Sequence, residues 1–415
     1  MGADTIILTV ATLVGLYMAA NIGANDLANA MGTSVGSRAL TLNQAVFISI
    51  LANLLGAILA GGHVTNTIRK GMIDPQLLAG SPEHLMLGMF AALVAAGIWV
   101  HLATVFGLPV STTHSIVGAV VGFGVISVGV SAISWGKVIT IVLSWVVSPI
   151  AGAIIAGAIY YLIRQKILRS DRPEKLAMQW SPYLIGSVLV VIFLSFIFKG
   201  LKNLHLNLGF FQALAIAIPC AALGGLLGRS WLKYLLRRDE QAESHATPLQ
   251  AFFAHLQVMT ACYVAFAHGA NDVANAVGPL AAIFSVVKTK SVVMQVEVPV
   301  WMLAIGGIAV GGGLFAFGSK VMETIGGKIT EVTPVRGFCA EFGAATTILV
   351  CSRLGLPVST THVLVGAVVG VGFMRGMGFL DMRLLRNIAS SWIITLPFTV
   401  ALAMALYKLL TILFL

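Results

Sequence analysis

Two short segments, each present twice, constrain this chain more than any other feature. LPVSTTH occupies Leu108–His114 and returns unchanged at Leu356–His362. GANDLANA at Gly23–Ala30 returns as GANDVANA at Gly269–Ala276. Ser144-Trp145 recurs as Ser391-Trp392, and VTNTI at Val64–Ile68 is echoed by VMETI at Val321–Ile325. Order is preserved and spacing nearly so, which is the signature of an internal duplication. The copies lie in a chain of 415 residues that is 58% hydrophobic and 10% charged. Soluble chains carry about 25% charged residues. Apolar runs long enough to cross a bilayer recur along it, and helix satisfies its own backbone there. The expected class is an all-α polytopic membrane protein.

The apolar runs predict spans near 4–20, 42–60, 86–106, 112–130 and 136–163, then 181–198 and 209–228, then 250–268, 296–318, 335–351, 357–375 and 384–414. That makes about twelve transmembrane helices, with the motif segments broken or re-entrant. Three units follow: a first repeat at 1–163, two connecting helices with basic loops at 164–249, and a second repeat at 250–415. The net charge of +10 is carried partly by short loops, as in Arg164, Lys166, Arg169 and Arg172, then Arg229, Lys233, Arg237 and Arg238. This is the positive-inside pattern rather than a nucleic-acid surface. It puts both loops in the cytoplasm and both termini outside. An odd number of predicted spans separates the repeat starts, so the repeats have inverted topology, with a site expected at their interface near the midplane. Arg69, Lys70 and Arg353 fall outside on this scheme. The run from Ile6 lacks a basic flank and reads as a span rather than a cleaved signal. Four isolated cysteines, Cys220, Cys262, Cys339 and Cys351, read as small buried apolar residues. Gly311–Gly313 suggests close helix packing.

Asp26 and Asp272 follow apolar runs that carry them into the bilayer, where a carboxylate is costly and functional by default. Asn25, Asp26 and Asn29 share one helical arc, as do Asn271, Asp272 and Asn275. Gly23 and Gly269 are expected to break the helix and free carbonyls. Together these oxygens suit Na+ or a proton. In LPVSTTH, Gly107 and Pro109 end one helix, and Ser111 caps the next; Gly355, Pro357 and Ser359 repeat this. Thr112 and Thr113, with Thr360 and Thr361, then sit beside free backbone N–H groups at a helix N-terminus, a ready anion site. Two such tips facing each other would surround a tetrahedral oxyanion. His114 and His362 either bind or titrate there, or satisfy backbone groups. Two aspartates and a divalent oxyanion total about −4, against about +1 from two helix ends. Cations must therefore enter with the anion, which points to symport.

These motif pairs closely resemble the signature of the inorganic phosphate transporter family, the type III sodium–phosphate cotransporters. The resemblance spans nearly the whole chain. It implies a multi-pass protein of the plasma (inner) membrane that imports inorganic phosphate with Na+ or H+ by alternating access, and that forms a homodimer. It implies no cofactor beyond the co-transported cation. Carried over residue by residue, Asn25, Asp26, Asn271 and Asp272 become cation and substrate ligands. Ser111, Thr112, Thr113, Ser359, Thr360 and Thr361 become phosphate ligands. Asn29, Asn275, His114, His362 and Glu341 are secondary candidates. Asn53 and Asn66 stand where sodium-coupled animal members carry glutamates, although Glu323 is kept opposite Asn66. That departure leaves Na+ and H+ open as driving ions. Glu341 has no acidic counterpart near Ala91–Ala96 and is either a cation ligand or a packing group.

Competing readings are an H+-coupled or metal–phosphate symporter, a sulfate permease of the same fold, a passive anion channel, and an intramembrane hydrolase using Ser111, His114 and Asp26. A hydrolase needs its triad once, whereas this constellation occurs twice. A channel needs a continuous lined path rather than paired broken segments. The preferred expectation is Na+-coupled transport with no enzymatic activity.

Overall fold

A computed structural model describes residues 2–70, 75–199, 208–241, 247–293, 298–353 and 358–415. Gly355, Leu356 and Pro357 lie outside the described residues, as do the side chains of Asn66, Arg69, Lys70 and Arg353. The described residues are helical and contain no strand. The first repeat runs α1 (Ala3–Ile22), a π turn (Gly23–Leu27), α2 (Ala28–Gly36), α3 (Leu42–Lys70), α4 (Pro82–Val105), α5 (Thr112–Val128) and α6 (Trp135–Ile163). The connecting pair is α7 (Pro173–Lys199) and α8 (Phe210–Gln241). The later half runs α9 (Pro248–Asn271), α10 (Val273–Thr289), α11 (Val300–Phe317), α12 (Ser319–Glu323), a π turn (Thr324–Lys328), α13 (Pro334–Arg353), α14 (Thr360–Phe373) and α15 (Met382–Phe414).

Among the described residues, nine helical stretches are long and apolar enough to cross a membrane. Their outward faces are greasy: Phe47 is 65% exposed, Ile154 65% and Ile393 76%. In water such a surface would be prohibitive, and against lipid it costs nothing. The expected count of about twelve exceeds nine because two expected spans are short. Thr112–Val128 and Thr360–Phe373 are apolar helices of 17 and 14 residues. At 1.5 Å per residue they reach only about 20–25 Å, short of a hydrocarbon core of about 30 Å. The expected free span at 335–351 lies in α13, a third helix absent from the nine.

Packing exchanges partners between the halves. Helix α1 lies on α11, α9 on α3, α5 on α15, and α14 on α6. Glycine makes these approaches close. A Cβ on Gly23 would lie 1.7 Å from the Val310 carbonyl oxygen, and one on Gly269 1.9 Å from that of Asn53. The reciprocal contacts are Gly313 on Ala20 O and Gly56 on Phe266 O. The expected helix breaks at Gly23 and Gly269 are not what forms. Gly23 has helical angles and opens a π turn, while Gly269 stays inside α9 and the interruption falls at Asp272. Both glycines serve close packing instead, because the missing side chain is needed by a neighbouring backbone. The Gly311–Gly313 run divides likewise: Gly311 meets Ile50, Gly313 meets Ala20, and Gly312 meets nothing within 4 Å.

The loop ahead of α5 follows from its sequence. Leu108 N donates to Ala103 O and Gly107 N to Thr104 O, with Gly107 at φ +67°. That pair is a Schellman stop, and it needs the left-handed residue that only glycine supplies without strain. Cysteine burial is uneven: Cys339 and Cys351 are buried, Cys262 half-buried and Cys220 exposed, since α8 turns that face outward.

At one end of the α13–α14 hairpin, Glu331 accepts from Arg336 at 3.1 Å and from Arg375 at 3.0 Å. The hydrogen bond and charge of Arg336 lead in holding its carboxyl below the usual carboxylate range. A depressed carboxyl contributes stability that is present above its unfolded value and lost as pH falls through the folded one. Because Glu331 is 71% exposed, Glu331→Gln should cost less than about 1 kcal/mol, with no cost once pH is below the folded value; thermal melts across acid pH test this. Gly313→Ala should destabilise by about 1–3 kcal/mol, whereas Gly312→Ala should be neutral in the same melts.

Candidate functional site

The duplicated motifs converge. Thr112, in the first turn of α5, donates to Asp26 Oδ2. Thr360, in the first turn of α14, donates to Asp272 Oδ2 at 3.1 Å. The amides cross over: Asn29 Nδ2 donates to Thr361 Oγ1 at 2.9 Å, and Asn275 Nδ2 to Thr113 Oγ1 at 3.2 Å and Thr112 Oγ1 at 3.1 Å. Thr361 also donates to Asp26 Oδ1 at 2.9 Å. Each half thus supplies carboxylate, amide and hydroxyl, and each is completed by the other. Apart from half-buried Thr113, these side chains are buried.

Ser111 and Ser359 cap their helices as the sequence predicts. Each hydroxyl accepts from the amide three residues on, His114 N or His362 N, at 3.2 Å. Ser111 (φ −90°) and Ser359 (φ −86°) have the extended backbone of an N-cap. Their oxygens therefore point along the backbone of the tip, and the threonines face the carboxylates. Asn25 is turned away from Asp26's shell. Its Nδ2 donates to Thr104 Oγ1 and Leu108 O, and its Oδ1 accepts from Val110 N, all at 3.0 Å. It moors the loop that presents Ser111, Thr112 and Thr113. Asn271 is half-buried at the last position of α9.

His114 and His362 lie behind the threonines in a stack. His114 stacks on Trp145 with centroids 3.3 Å apart, and His362 on Trp392 at 3.6 Å. The two imidazoles meet edge to face at 4.3 Å. Pro149 lacks an N–H, so the Trp145 carbonyl loses its helical partner. His362 Nδ1 approaches that oxygen at 3.4 Å. Ser144-Trp145 and Ser391-Trp392 recur, in this light, because each tryptophan backs a histidine at a hairpin tip.

One residue escaped sequence reasoning. His268 Nδ1 lies 2.7 Å from Asp272 Oδ2 and 3.4 Å from Thr360 Oγ1, fully inside the protein. Ligand atoms of Asp26, His268 and Asp272 all fall within 4.8 Å of one another. The signal was present, since His268 stands immediately before GANDVANA and four residues before Asp272, where one helical turn joins them. The corresponding position of the first copy is Ile22. The symmetric site therefore carries one asymmetric group. Two carboxylates so close inside a low-dielectric core repel strongly, and hydroxyl, amide and imidazole donors offset only part of that. Asn29 Oδ1 is buried and has no hydrogen-bond partner among the described residues, an oxygen left over in the same shell.

Glu341 belongs to a second cluster. Oε1 accepts from Thr33 at 2.5 Å, Ser34 at 2.7 Å and Gln257 at 3.1 Å, and Oε2 from Thr260 at 2.6 Å. Ser37 in turn donates to Gln257 Oε1 at 2.7 Å. Those donors come from α2 and α9, so a carboxylate of α13 ties both halves together. They occupy most of the acceptor capacity of the carboxylate. Asn53 is buried and donates to Gly307 O at 3.1 Å, while Glu323 forms an exposed pair with Lys328 at 3.1 Å. Neither reaches the aspartates.

Comparison with known proteins places the whole chain among phosphate transporters. A profile of the phosphate transporter family matches residues 22–403. A putative phosphate permease of Pyrococcus furiosus is 44% identical over 413 residues, covering 100% of this chain and 98% of the relative. The chloroplastic inorganic phosphate transporter 2-1 of Arabidopsis thaliana is 40% identical, over 97% of this chain and 72% of its own length. A solved structure of a sodium-dependent phosphate transporter superposes with a TM-score of 0.88 at 40% identity, covering 99% of this chain and 100% of that one.

Glu341→Gln replaces a four-fold acceptor by a group with two donors of its own. It should lower stability by about 2–3 kcal/mol, read as a fall in melting temperature in detergent, with a smaller effect for Glu323→Gln.

Proposed function

This chain belongs to the phosphate transporter family, and on that premise we propose that it imports inorganic phosphate by Na+ symport, alternating access to one central site. It is a multi-pass membrane transporter and not an enzyme. The observation that carries the ligand assignment is the paired carboxylate–threonine contact, Asp26 with Thr112 and Asp272 with Thr360. Asp26, Asp272 and the spare Asn29 Oδ1 offer a hard, anionic oxygen shell for Na+. Thr112, Thr113, Thr360 and Thr361 at two helix N-termini offer hydroxyls and amides to phosphate. Asn275 bridges the threonines, and Asn271 neighbours the cation shell. Ser111 and Ser359 act on phosphate through the tips they cap, and Asn25 by mooring one of them. His114 and His362 brace the tips, and Glu341 joins α13 to α2 and α9.

Charge makes the coupling obligatory. Without a cation, a phosphate beside two carboxylates is repelled; with Na+ bound, the carboxylates are neutralised and the helix ends attract. His268 is a fixed donor toward Asp272 and biases the shell toward one half.

The same reading gives the units 1–163, 164–249 and 250–415 and sets the two repeats in inverted orientation. The α4–α5 and α13–α14 hairpins are re-entrant, since their tips meet at His114 and His362 and their second helices are short. With α4 counted in its hairpin and not as a crossing, α1, α3, α6, α7 and α8 remain as crossings between the repeat starts, an odd number, which keeps the inversion. The basic loops around Arg164–Arg172 and Arg229–Arg238 face the cytoplasm, with both termini outside and the protein in the plasma (inner) membrane. Arg164 Nη1 donates to Met374 O at 3.0 Å, which fits an α14 that ends on the cytoplasmic side. The working unit is a homodimer, as the family resemblance implies.

Reconstituted vesicles given an inward Na+ gradient and no other driving force should accumulate labelled phosphate, and an imposed H+ gradient alone should not. Asp26→Asn and Asp272→Asn, nearly isosteric, should each abolish that uptake in folded protein. Accumulation driven by H+ alone would replace the driving ion. Wild-type rates in either variant would remove the aspartates from the cation site, and competition by sulfate but not phosphate would replace the substrate.

A further inference from the structure

Far from the aspartates, the start of α7, the C-terminal part of α8 and the start of α9 enclose a cavity of about 340 Å³. Among the described residues, its rim carries Lys175, Lys233 and Arg237 with one carboxylate, Glu174. Its inner wall is apolar and includes Met178 and Phe252, the latter 2% exposed. Among the described residues none of the three cations takes part in an ion pair. The phosphate site uses none of them. A cavity with a cationic mouth and an oily wall is matched by an amphiphile with an anionic head.

The depth of the cavity is marked independently. Trp180 and Tyr183 on α7 are 43% and 73% exposed, and Trp231 and Tyr234 on α8 are 56% and 63% exposed. Exposed tryptophan and tyrosine on spanning helices concentrate at headgroup level. Here Trp231 and Tyr234 flank Lys233, and Trp180 lies within two turns of Lys175. Basic pockets between helices at that level on the cytoplasmic side take anionic lipid headgroups.

We propose that this cavity binds the phosphate headgroup of an anionic phospholipid. Lys175, Lys233 and Arg237 hold the phosphate. The first acyl carbons cover Met178 and Phe252, and Glu174 accepts from a headgroup hydroxyl, which favours glycerol. Free inorganic phosphate shares the anionic chemistry but gains nothing from the apolar wall. The occupied pocket ties the connecting helices to α9, the helix that carries His268 and leads to Asp272, so lipid steadies the frame of the transport site without entering it.

The test uses the full chain in nanodiscs of phosphatidylcholine, with or without phosphatidylglycerol. Wild type should melt several degrees higher with phosphatidylglycerol, and should bind fluorescent phosphatidylglycerol at least about tenfold more tightly than the combined Lys175→Gln, Lys233→Gln, Arg237→Gln variant. That variant should show no melting shift, yet keep phosphate uptake in phosphatidylcholine vesicles, because its changes are exposed and remote from the aspartates. Equal lipid shifts in wild type and variant would overturn the proposal. Stabilisation by inorganic phosphate in phosphatidylcholine nanodiscs that disappears in the variant would make the cavity a free-anion site and overturn the lipid assignment. Lipid binding is read without transport, so its failure is separable from failure of the symport reading.

Discussion

Two carboxylates buried side by side are the constraint on which this structure turns. Asp26 and Asp272 sit with His268 in a cluster whose ligand atoms lie within 4.8 Å. Nothing in an apolar helix bundle tolerates that without donors in position. The donors are threonines at two helix tips: Gly107 stops α4 and Ser111 starts α5 at one, and Ser359 starts α14 at the other. The exchange of partners between halves then follows. Asn29 and Asn275 each reach a threonine of the other repeat, so neither repeat can satisfy its own polar groups alone.

The same constraint explains why the frame is so rich in glycine, 44 in all. Bringing the aspartates together requires α1 against α11 and α9 against α3 at near backbone contact. Gly23, Gly313, Gly269 and Gly56 permit it. Helix association in lipid gains little from hydrophobicity, so contact distance carries the energy. Glu341 supplies the polar counterpart of that packing: of its four hydrogen bonds, those from Thr33 and Ser34 cross to the other half, around one buried carboxyl group.

The symmetry is close but incomplete, and the departures carry chemical meaning. His268 has only Ile22 opposite it, and Glu341 has no acidic equivalent. A perfectly symmetric site would present the same chemistry to both sides of the membrane. One imidazole on one carboxylate makes the two half-sites unequal, so that Asp26 and Asp272 sit in different surroundings.

Sequence alone determined the class, the duplication, the threonine tips and the aspartates. Those are local properties: apolar runs fix burial in lipid, Gly and Ser fix where helices stop and start, and an exact repeat fixes which residues must be equivalent. It did not separate long helices from short ones, because a run of apolar residues reads the same in either. It assigned breaks to Gly23 and Gly269, because glycine that bends a chain and glycine that admits a neighbour are identical letters. Only the tertiary structure decided that Asn25 moors a loop, that the histidines stack on Trp145 and Trp392, and that His268 joins Asp272. Each of these depends on which side of a helix meets which partner across the bundle, and residues far apart in the chain settle that by packing against one another.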